Sequence, residues 1–206
     1  TPALLAEQRD KLANGITVRH TKRSQATVNR YMAVLSHLFT VAVKEWGWLE
    51  SNPLAKVSKL KESRGRVRFL SDEERERLLK ACRDSASVYL YPVVVLCLST
   101  GARKMEILGL RWEDVDLDRS VITLHETKNG ERRILPLTGY ALDLIKKHSK
   151  VRVLGTSLLF PSKDLSKPVA LRTPWENSVK RACIEDFRFH DLRHSCASYL
   201  AMNGAS

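Results

Sequence analysis

The chain has 206 residues, with 35 Lys and Arg against 23 Asp and Glu, and a formal net charge of +12 at pH 7. Hydrophobic residues make up 43%, which is enough to build a core and excludes a wholly disordered chain. The sequence contains no run of about 18 apolar residues, so it predicts no membrane span. Its N-terminal residues do not resemble a signal peptide. The positive charge favours a polyanionic partner.

That charge is concentrated at the N-terminal end of the chain. Residues 1–68 hold 13 Lys and Arg and 5 Asp and Glu, a net charge of +8, whereas residues 69–206 have a net charge of +4. This distribution is typical of a DNA-binding module attached to a more balanced domain. A charge that only keeps the protein in solution is the alternative.

The first 62 residues predict a small helical region. A short helix over about 2–13 ends at Asn14-Gly15, and Ser24 is placed to cap a long amphipathic helix that runs to about Trp46. The connection between the two helices is exposed and basic. Its candidate DNA-binding residues are Arg19, Lys22 and Arg23.

Residues 59–68 lose the helical periodicity and are interpreted as a linker between two domains. A basic linker can cross a phosphate backbone, although a solvated connection without contacts fits the charge equally well. The candidate DNA-binding residues here are Lys59, Lys61, Arg64, Arg66 and Arg68.

The rest of the chain predicts an α+β fold that is mostly α, with a short antiparallel sheet. A capping box of Ser71 and Glu74 opens a helix to about Asp84, and an apolar segment up to Thr100-Gly101 predicts a buried helix. Arg103 begins a short helix before an acidic turn. The later predicted elements are strands 121–127 and 131–137 joined through Lys128-Asn129-Gly130, helices at about 139–149 and 173–184 around a short strand 157–160, and a last helix over about 190–202.

The four cysteines, Cys82, Cys97, Cys183 and Cys196, have no C-x-x-C spacing. This pattern favours buried reduced thiols in a cytoplasmic protein over a disulfide framework or a zinc site. The acidic turn around Glu113 and Asp114 also favours a solvated turn over a metal site. We therefore expect no metal and no cofactor.

Three features could carry chemistry: Arg103 after a glycine turn, Lys128 at a hairpin tip, and His190, Arg193 and His194 on one helix face. Each is a weak signal alone. In the order TGARKMEILGLRWEDVDL, ETKNGERRILPL and FRFHDLRHSCASYLAMNGAS, they make the chain resemble the tyrosine recombinase (phage integrase) family over nearly its whole length.

The resemblance implies a partial helical core-binding domain over 1–62 and a catalytic domain over 63–206. It implies that a tyrosine attacks a DNA phosphodiester, which forms a 3′-phosphotyrosyl link and frees a 5′-hydroxyl. Arg103 and Arg193 would clamp the non-bridging oxygens, and Lys128 would protonate the departing oxygen. His190 would act as a general base or orient the tyrosine, with supporting roles for Glu106 and His194.

The resemblance also implies the partners: double-stranded DNA at attachment sites, and a homotetramer on that DNA, with no membrane. Such a protein of a phage or another mobile element acts in the cytoplasm, on the nucleoid of a bacterial host. A type IB topoisomerase is the alternative enzyme, because it has a similar set of residues.

No tyrosine of the chain lies at the position of the family's nucleophile. Tyr199 is nine residues after His190, which places it on roughly the opposite face of the last helix. We therefore expect the chain to be a fragment that ends before the nucleophile, inactive in cleavage and monomeric. A DNA-binding fragment without activity is the alternative function.

Overall fold

Two of the described α-helices begin at a serine whose side chain caps them. In the computed structural model, the Ser24 hydroxyl accepts the Thr27 N–H at 3.2 Å, and Ser71 and Glu74 form the predicted capping box. The structure describes residues 1–63, 65, 67–125 and 132–204. Its α-helices are α1 Pro2–Asn14, α2 Gln25–Lys44, α3 Asp72–Arg83, α4 Leu90–Thr100, α5 Lys104–Leu108, α6 Gly139–Ser149, α7 Arg172–Arg181 and α8 Asp191–Met202.

The chain divides into two units, residues 1–66 and 67–206, whereas the sequence predicts a boundary between residues 62 and 63. In the first unit, α1 and α2 pack against each other and against a 3₁₀ turn at Pro53–Lys56. The Asn29 side chain on α2 exchanges two hydrogen bonds of 2.9 Å with the Leu60 backbone. This contact fixes the start of the basic linker to its own unit.

The predicted apolar face of α2 is only partly buried in the described structure. Val28 and Ala42 are buried, whereas Tyr31, Leu38 and Trp46 remain about half exposed. The helical prediction for this segment is confirmed, but the described part of the unit contributes few elements that could cover its apolar face.

The second unit contains a three-stranded antiparallel sheet in the order β1-β2-β3, which confirms the predicted hairpin strands. The strands are β1 Val115–Asp116, β2 Val121–Leu124 and β3 Arg133–Pro136. Strand β1 is only two residues long, too short to show a period in the sequence. The prediction of a strand over 157–160 is wrong, because this segment forms only an isolated bridge from Leu158 to Arg111.

Helix α4 forms the centre of the second unit's core. Its residues from Leu90 to Cys97 are buried apart from Tyr91, and α3, α6 and α8 pack against it. All four cysteines are free; Cys82, Cys97 and Cys196 are buried, and burial raises the pKa of the Cys82 and Cys97 thiols to about 12. Among the described helices, none is both long and apolar enough to cross a bilayer.

Leu70, at the entrance to the second unit, is fixed to α8 through both of its backbone groups. Its N–H donates to the Ser195 hydroxyl at 3.0 Å, and its carbonyl accepts the Tyr199 hydroxyl at 2.9 Å. The Leu70 side chain is fully buried. The first residues after the linker are therefore held by the helix that also carries Arg193.

Candidate active site

The turn between α4 and α5 positions Arg103. Gly101 ends α4 with φ 62° and ψ 17°, a left-handed conformation that glycine adopts without strain. Ala102 is buried, and Arg103 is the N-cap residue of α5, with its side chain partly exposed. Arg103 thus lies at the junction between α4 and α5, with its guanidinium group accessible to solvent.

Glu106, one turn into α5, is held almost entirely away from solvent. Its Oε1 accepts Arg103 Nη1 at 2.6 Å, and its Oε2 accepts the Arg103 backbone N–H at 2.8 Å. Burial alone would raise the pKa of this carboxyl, but the hydrogen bonds from Arg103 and the charges of Arg133 and Arg103 outweigh it and hold the pKa below its ordinary value. Glu106 is therefore ionised at neutral pH.

Arg133 on β3, which is not among the predicted site residues, contacts the same carboxylate. Its Nη2 donates to Glu106 Oε2 at 3.1 Å, while its Nε is buried and has no hydrogen-bond partner in the described structure. The alternation along β3 was the available signal, since Arg133 lies on the same face as buried Leu135 and Leu137. A cation on the buried face of a strand points to a special contact.

Helix α8 carries the remaining predicted residues at its N-terminal end. Arg193 Nη1 donates to the Gly101 carbonyl at 2.5 Å, which ties α8 to the turn before Arg103. The His190 and His194 rings meet edge to face at 5.2 Å, as expected for residues four apart on one helix face. Lys104 Nζ lies 5.0 Å from the centre of the Phe189 ring, which brings α5 into contact with a residue just before α8.

A cavity of about 210 Å³ lies where these elements meet. Arg133 and Arg193 line it together with Gly101, Leu135 and Cys196. With Arg103, three arginines accompany the Glu106 carboxylate among the described residues, so this set carries an excess of positive charge. Its chemistry suits an anion with several oxygens, such as a phosphodiester.

The sequence profile described as "Phage integrase family" matches residues 68–206, which is more than half of the chain. The chain belongs to the phage integrase family.

Similar proteins include the shufflon-specific DNA recombinase of Escherichia coli, 38% identical over 84% of this chain and 43% of that protein. The integrase of Salmonella phage P22 is 34% identical over 87% of this chain and 48% of that protein. The chain thus spans about half the length of these curated relatives. Among solved structures, the Tn1549 transposon integrase in complex with circular intermediate DNA has a TM-score of 0.79 and 18% identity, covering 100% of this chain and 74% of that one, which shows a shared fold.

The phage integrase resemblance assigns the general acid to Lys128, which lies outside the described residues. The strands on either side of it, β2 and β3, are paired in register, with Thr123 opposite Ile134. Arg64 and Arg66 of the predicted DNA-binding set also lie outside the described residues.

Two of the other predicted DNA-binding arginines are engaged within their own units. Arg23 Nη1 donates at 3.3 Å to the carbonyl of Leu12, which lies in the last turn of α1. Arg68 forms an ion pair with Glu74 and lies over the Phe187 ring. By contrast, the other four are exposed: Arg19, Lys22, Lys59 and Lys61.

The predicted acidic turn uses its carboxylates locally. Asp114 accepts the Arg111 N–H at 2.7 Å and lies 3.3 Å from His125, while Asp116 accepts the Arg119 N–H at 2.8 Å. Glu113 and Asp118 are exposed. Within the described ranges, no three metal-ligating side chains gather into a group that could hold an ion.

None of the five tyrosines has a described contact with Arg103 or Arg193. The Tyr199 hydroxyl is bound to Leu70, and those of Tyr91 and Tyr140 are bound to each other at 3.0 Å. Tyr89 packs edge to face against Phe160, and Tyr31 belongs to the first unit.

Proposed function

We propose that this chain is the DNA-binding and catalytic core of a site-specific DNA recombinase that cuts and rejoins strands through a 3′-phosphotyrosyl intermediate. The observation that carries the proposal is the tie between Arg193 and the Gly101 carbonyl, which brings the second arginine to the turn that presents the first. Family membership and the DNA-bound integrase of the same fold support it.

In the proposed reaction, a tyrosine oxygen attacks the phosphorus, the P–O5′ bond breaks, and the negative charge on the non-bridging oxygens grows. Arg103 and Arg193 stabilise that charge because guanidinium groups donate paired hydrogen bonds to phosphate oxygens. Exposed His190 accepts the tyrosine proton or orients the hydroxyl, and Lys128 gives a proton to the 5′ oxygen. We assign the attack to a tyrosine other than the five in these 206 residues, because none of the five has a described contact with Arg103 or Arg193.

Glu106 and His194 act in support of these groups. Glu106 fixes Arg103 through its side chain and its backbone N–H, and His194 packs on His190. We assign residues 1–62 to DNA binding and residues 63–206 to catalysis. The exposed cations that we assign to DNA phosphates are Arg19, Lys22, Lys59 and Lys61. Neutral side chains at these positions could not replace them, because they would not neutralise phosphate charge.

The substrate is double-stranded DNA at attachment sites of a mobile element in a bacterial cell. Exchange between two duplexes requires four cleavage events, so the assembly that performs it is a homotetramer on DNA. We expect the 206-residue chain alone to be monomeric.

The test is an Arg193→Ala change in the complete gene product. The assay measures a covalent protein–DNA adduct on nicked duplexes whose sequences are taken from the genomic DNA that flanks the gene. Adduct formation should fall at least about 100-fold, because the transition state loses one charged clamp. Affinity in a gel-shift assay should change little, since one phosphate contact among many is lost.

Arg172→Ala is the matched control, because Arg172 is an exposed arginine of the same unit whose described partner is Glu176. It should leave adduct formation unchanged. Equal losses of binding and cleavage in Arg193→Ala would contradict the assignment, and binding without an adduct in the unmodified protein would favour a DNA-binding function alone.

A further inference from the structure

One buried carboxylate is shared by two arginines from different elements. Among the described residues, Glu106 Oε1 accepts Arg103 Nη1, whereas Oε2 accepts both the Arg103 backbone N–H and Arg133 Nη2. The Glu106 side chain is 7% exposed, so it has little access to water. The three protein donors therefore decide how this carboxylate is oriented.

This sharing limits how Glu106 can bind Arg103. An isolated arginine–carboxylate pair favours two parallel hydrogen bonds from two guanidinium nitrogens. Here Oε2 is already occupied, and only Nη1 of the Arg103 guanidinium donates to Glu106. Among the described contacts, Nε and Nη2 of Arg103 have none, and the side chain is 38% exposed. Two donors of Arg103 thus remain available to a phosphate.

The charges lead to the same conclusion. Arg103 and Glu106 alone would form a neutral pair with little attraction for an anion. Arg133 adds a positive charge to the pair and lines the same cavity as Arg193. Since electrostatic stabilisation acts strongly in a partly desolvated site, this extra charge matters for the cleavage step.

The stability of the fold does not explain why an arginine occupies position 133. Its Nε–H is buried and has no partner among the described residues, a state that costs free energy in a folded protein. The side chain leaves β3 on the face of buried Leu135, where an apolar residue would pack without that cost. Such a cost is typical of a position that serves the site.

We propose that Arg133 is a positioning residue of the cleavage site. It holds the Glu106 carboxylate in the orientation that leaves Arg103 free to bind the scissile phosphate. This inference rests on the function proposed above and adds to it a residue that acts on the phosphate clamp through Glu106.

The test compares Arg133→Met with the unmodified complete gene product in single-turnover adduct formation. We expect a rate lower by between about 10- and 100-fold, because Glu106 can then bind Arg103 through two nitrogens. DNA affinity should stay within about twofold, since Arg133 makes no proposed contact with DNA. Arg133→Lys keeps the charge and one donor and should fall between the two.

A second substrate separates the clamp from the leaving group. When sulfur replaces the bridging 5′ oxygen, the thiolate departs without needing a proton. The defect of Lys128→Ala should disappear on this duplex, whereas that of Arg133→Met should persist. Disappearance of the Arg133→Met defect would overturn the inference, since Arg133 would then act through the hairpin lysine.

Arg132→Met is the matched control, because Arg132 is the exposed neighbour of Arg133 and has no described contact with Glu106. It should behave as the unmodified protein. An equal effect of both changes, or a loss of folding by circular dichroism in both Arg133 variants, would overturn the inference. Absence of an adduct with the unmodified protein would instead overturn the proposed function. In that case, carbon-13 NMR of the 206-residue chain would measure the pKa of Glu106 with and without the Arg133→Met change. That comparison would still show whether Arg133 holds this carboxylate.

Discussion

The Glu106 carboxylate joins two arginines of the proposed site. This carboxylate is buried, yet three N–H donors from Arg103 and Arg133 satisfy it. Removing one member of such a group leaves the others desolvated and unpaired, which costs more than the hydrogen bonds themselves contribute. The residue therefore links the stability of the turn to the placement of Arg103.

Stability should depend on pH through this carboxyl. Because the folded state lowers the pKa of Glu106, its contribution is complete above the ordinary glutamate pKa of about 4.3 and is lost as pH falls through the lower folded value. We expect Glu106→Gln to lower the free energy of unfolding by about 1–3 kcal/mol at pH 7. In denaturant titrations, the free energies of unfolding of Glu106→Gln and the unmodified chain should become more similar below a pH of about 4.

Glu113→Gln serves as the control, because Glu113 is an exposed carboxylate of the same unit. It should show no such narrowing. A Glu106→Gln deficit that stays constant from neutral to acidic pH would show that the carboxylate charge is not what stabilises the turn.

At the residue scale, the sequence could predict the groups that local order defines. Arg103, Glu106, His190 and Arg193 follow from short motifs, and the structure brings Arg103 and Glu106 into contact. Arg133 could not be assigned in this way, because its partner is 27 residues away and only the folded sheet brings them together. The sequence also could not predict which arginines form ion pairs within the protein, as Arg68 does with Glu74.

At the scale of elements, the α4–α5 turn depends on Gly101. Its positive φ ends α4, its carbonyl accepts Arg193, and a side chain added there would lie 3.4 Å from Cys196 Sγ. The backbone of this one residue therefore precedes Arg103 in a left-handed turn and also holds Arg193. Backbone conformation and site geometry are coupled at this residue.

We expect Gly101→Ala to lower the free energy of unfolding by about 1–2 kcal/mol, the cost of a left-handed conformation for alanine. Gly139→Ala is the control, since Gly139 also has a positive φ but nothing within 4 Å of the added carbon. Both variants should lose similar stability in urea titrations. Only Gly101→Ala should slow adduct formation; equal slowing by Gly139→Ala would argue against a specific role for this turn.

Element prediction succeeded where a pattern extends over several turns. The caps at Ser24 and Ser71 and the apolar segment of α4 are local, and the structure confirms them. The strand prediction for residues 157–160 is wrong because an apolar run is compatible with a strand or with any buried extended chain. Here it forms one bridge beside Arg111, a pairing that depends on distant residues.

At the scale of the whole molecule, positive charge is unevenly divided along the chain. The net charge of residues 1–68 is +8, and the exposed members of the predicted DNA-binding set include Lys59 and Lys61. Each phosphate that a cation neutralises releases counterions, so binding to DNA should weaken steeply with salt.

Lys59→Gln and Lys61→Gln together should make the slope of log affinity against log salt shallower by up to about 2. The measurement is fluorescence anisotropy of a labelled duplex with the 206-residue chain at several salt concentrations. Lys146→Gln with Lys147→Gln is the matched pair of exposed lysines on α6. If both pairs change the slope equally, net charge alone governs binding and the linker makes no direct contact.

The attachment of Leu70 to α8 has a mechanical consequence. Both backbone groups of Leu70 are bonded to hydroxyls of one helix, Ser195 and Tyr199, so tension in the preceding segment loads two hydrogen bonds at once. Bonds loaded together resist force better than bonds that are opened one after another. Because Arg68 also pairs with Glu74 of α3, force along the linker would reach both α3 and α8, and α8 is the helix on which Arg193 lies.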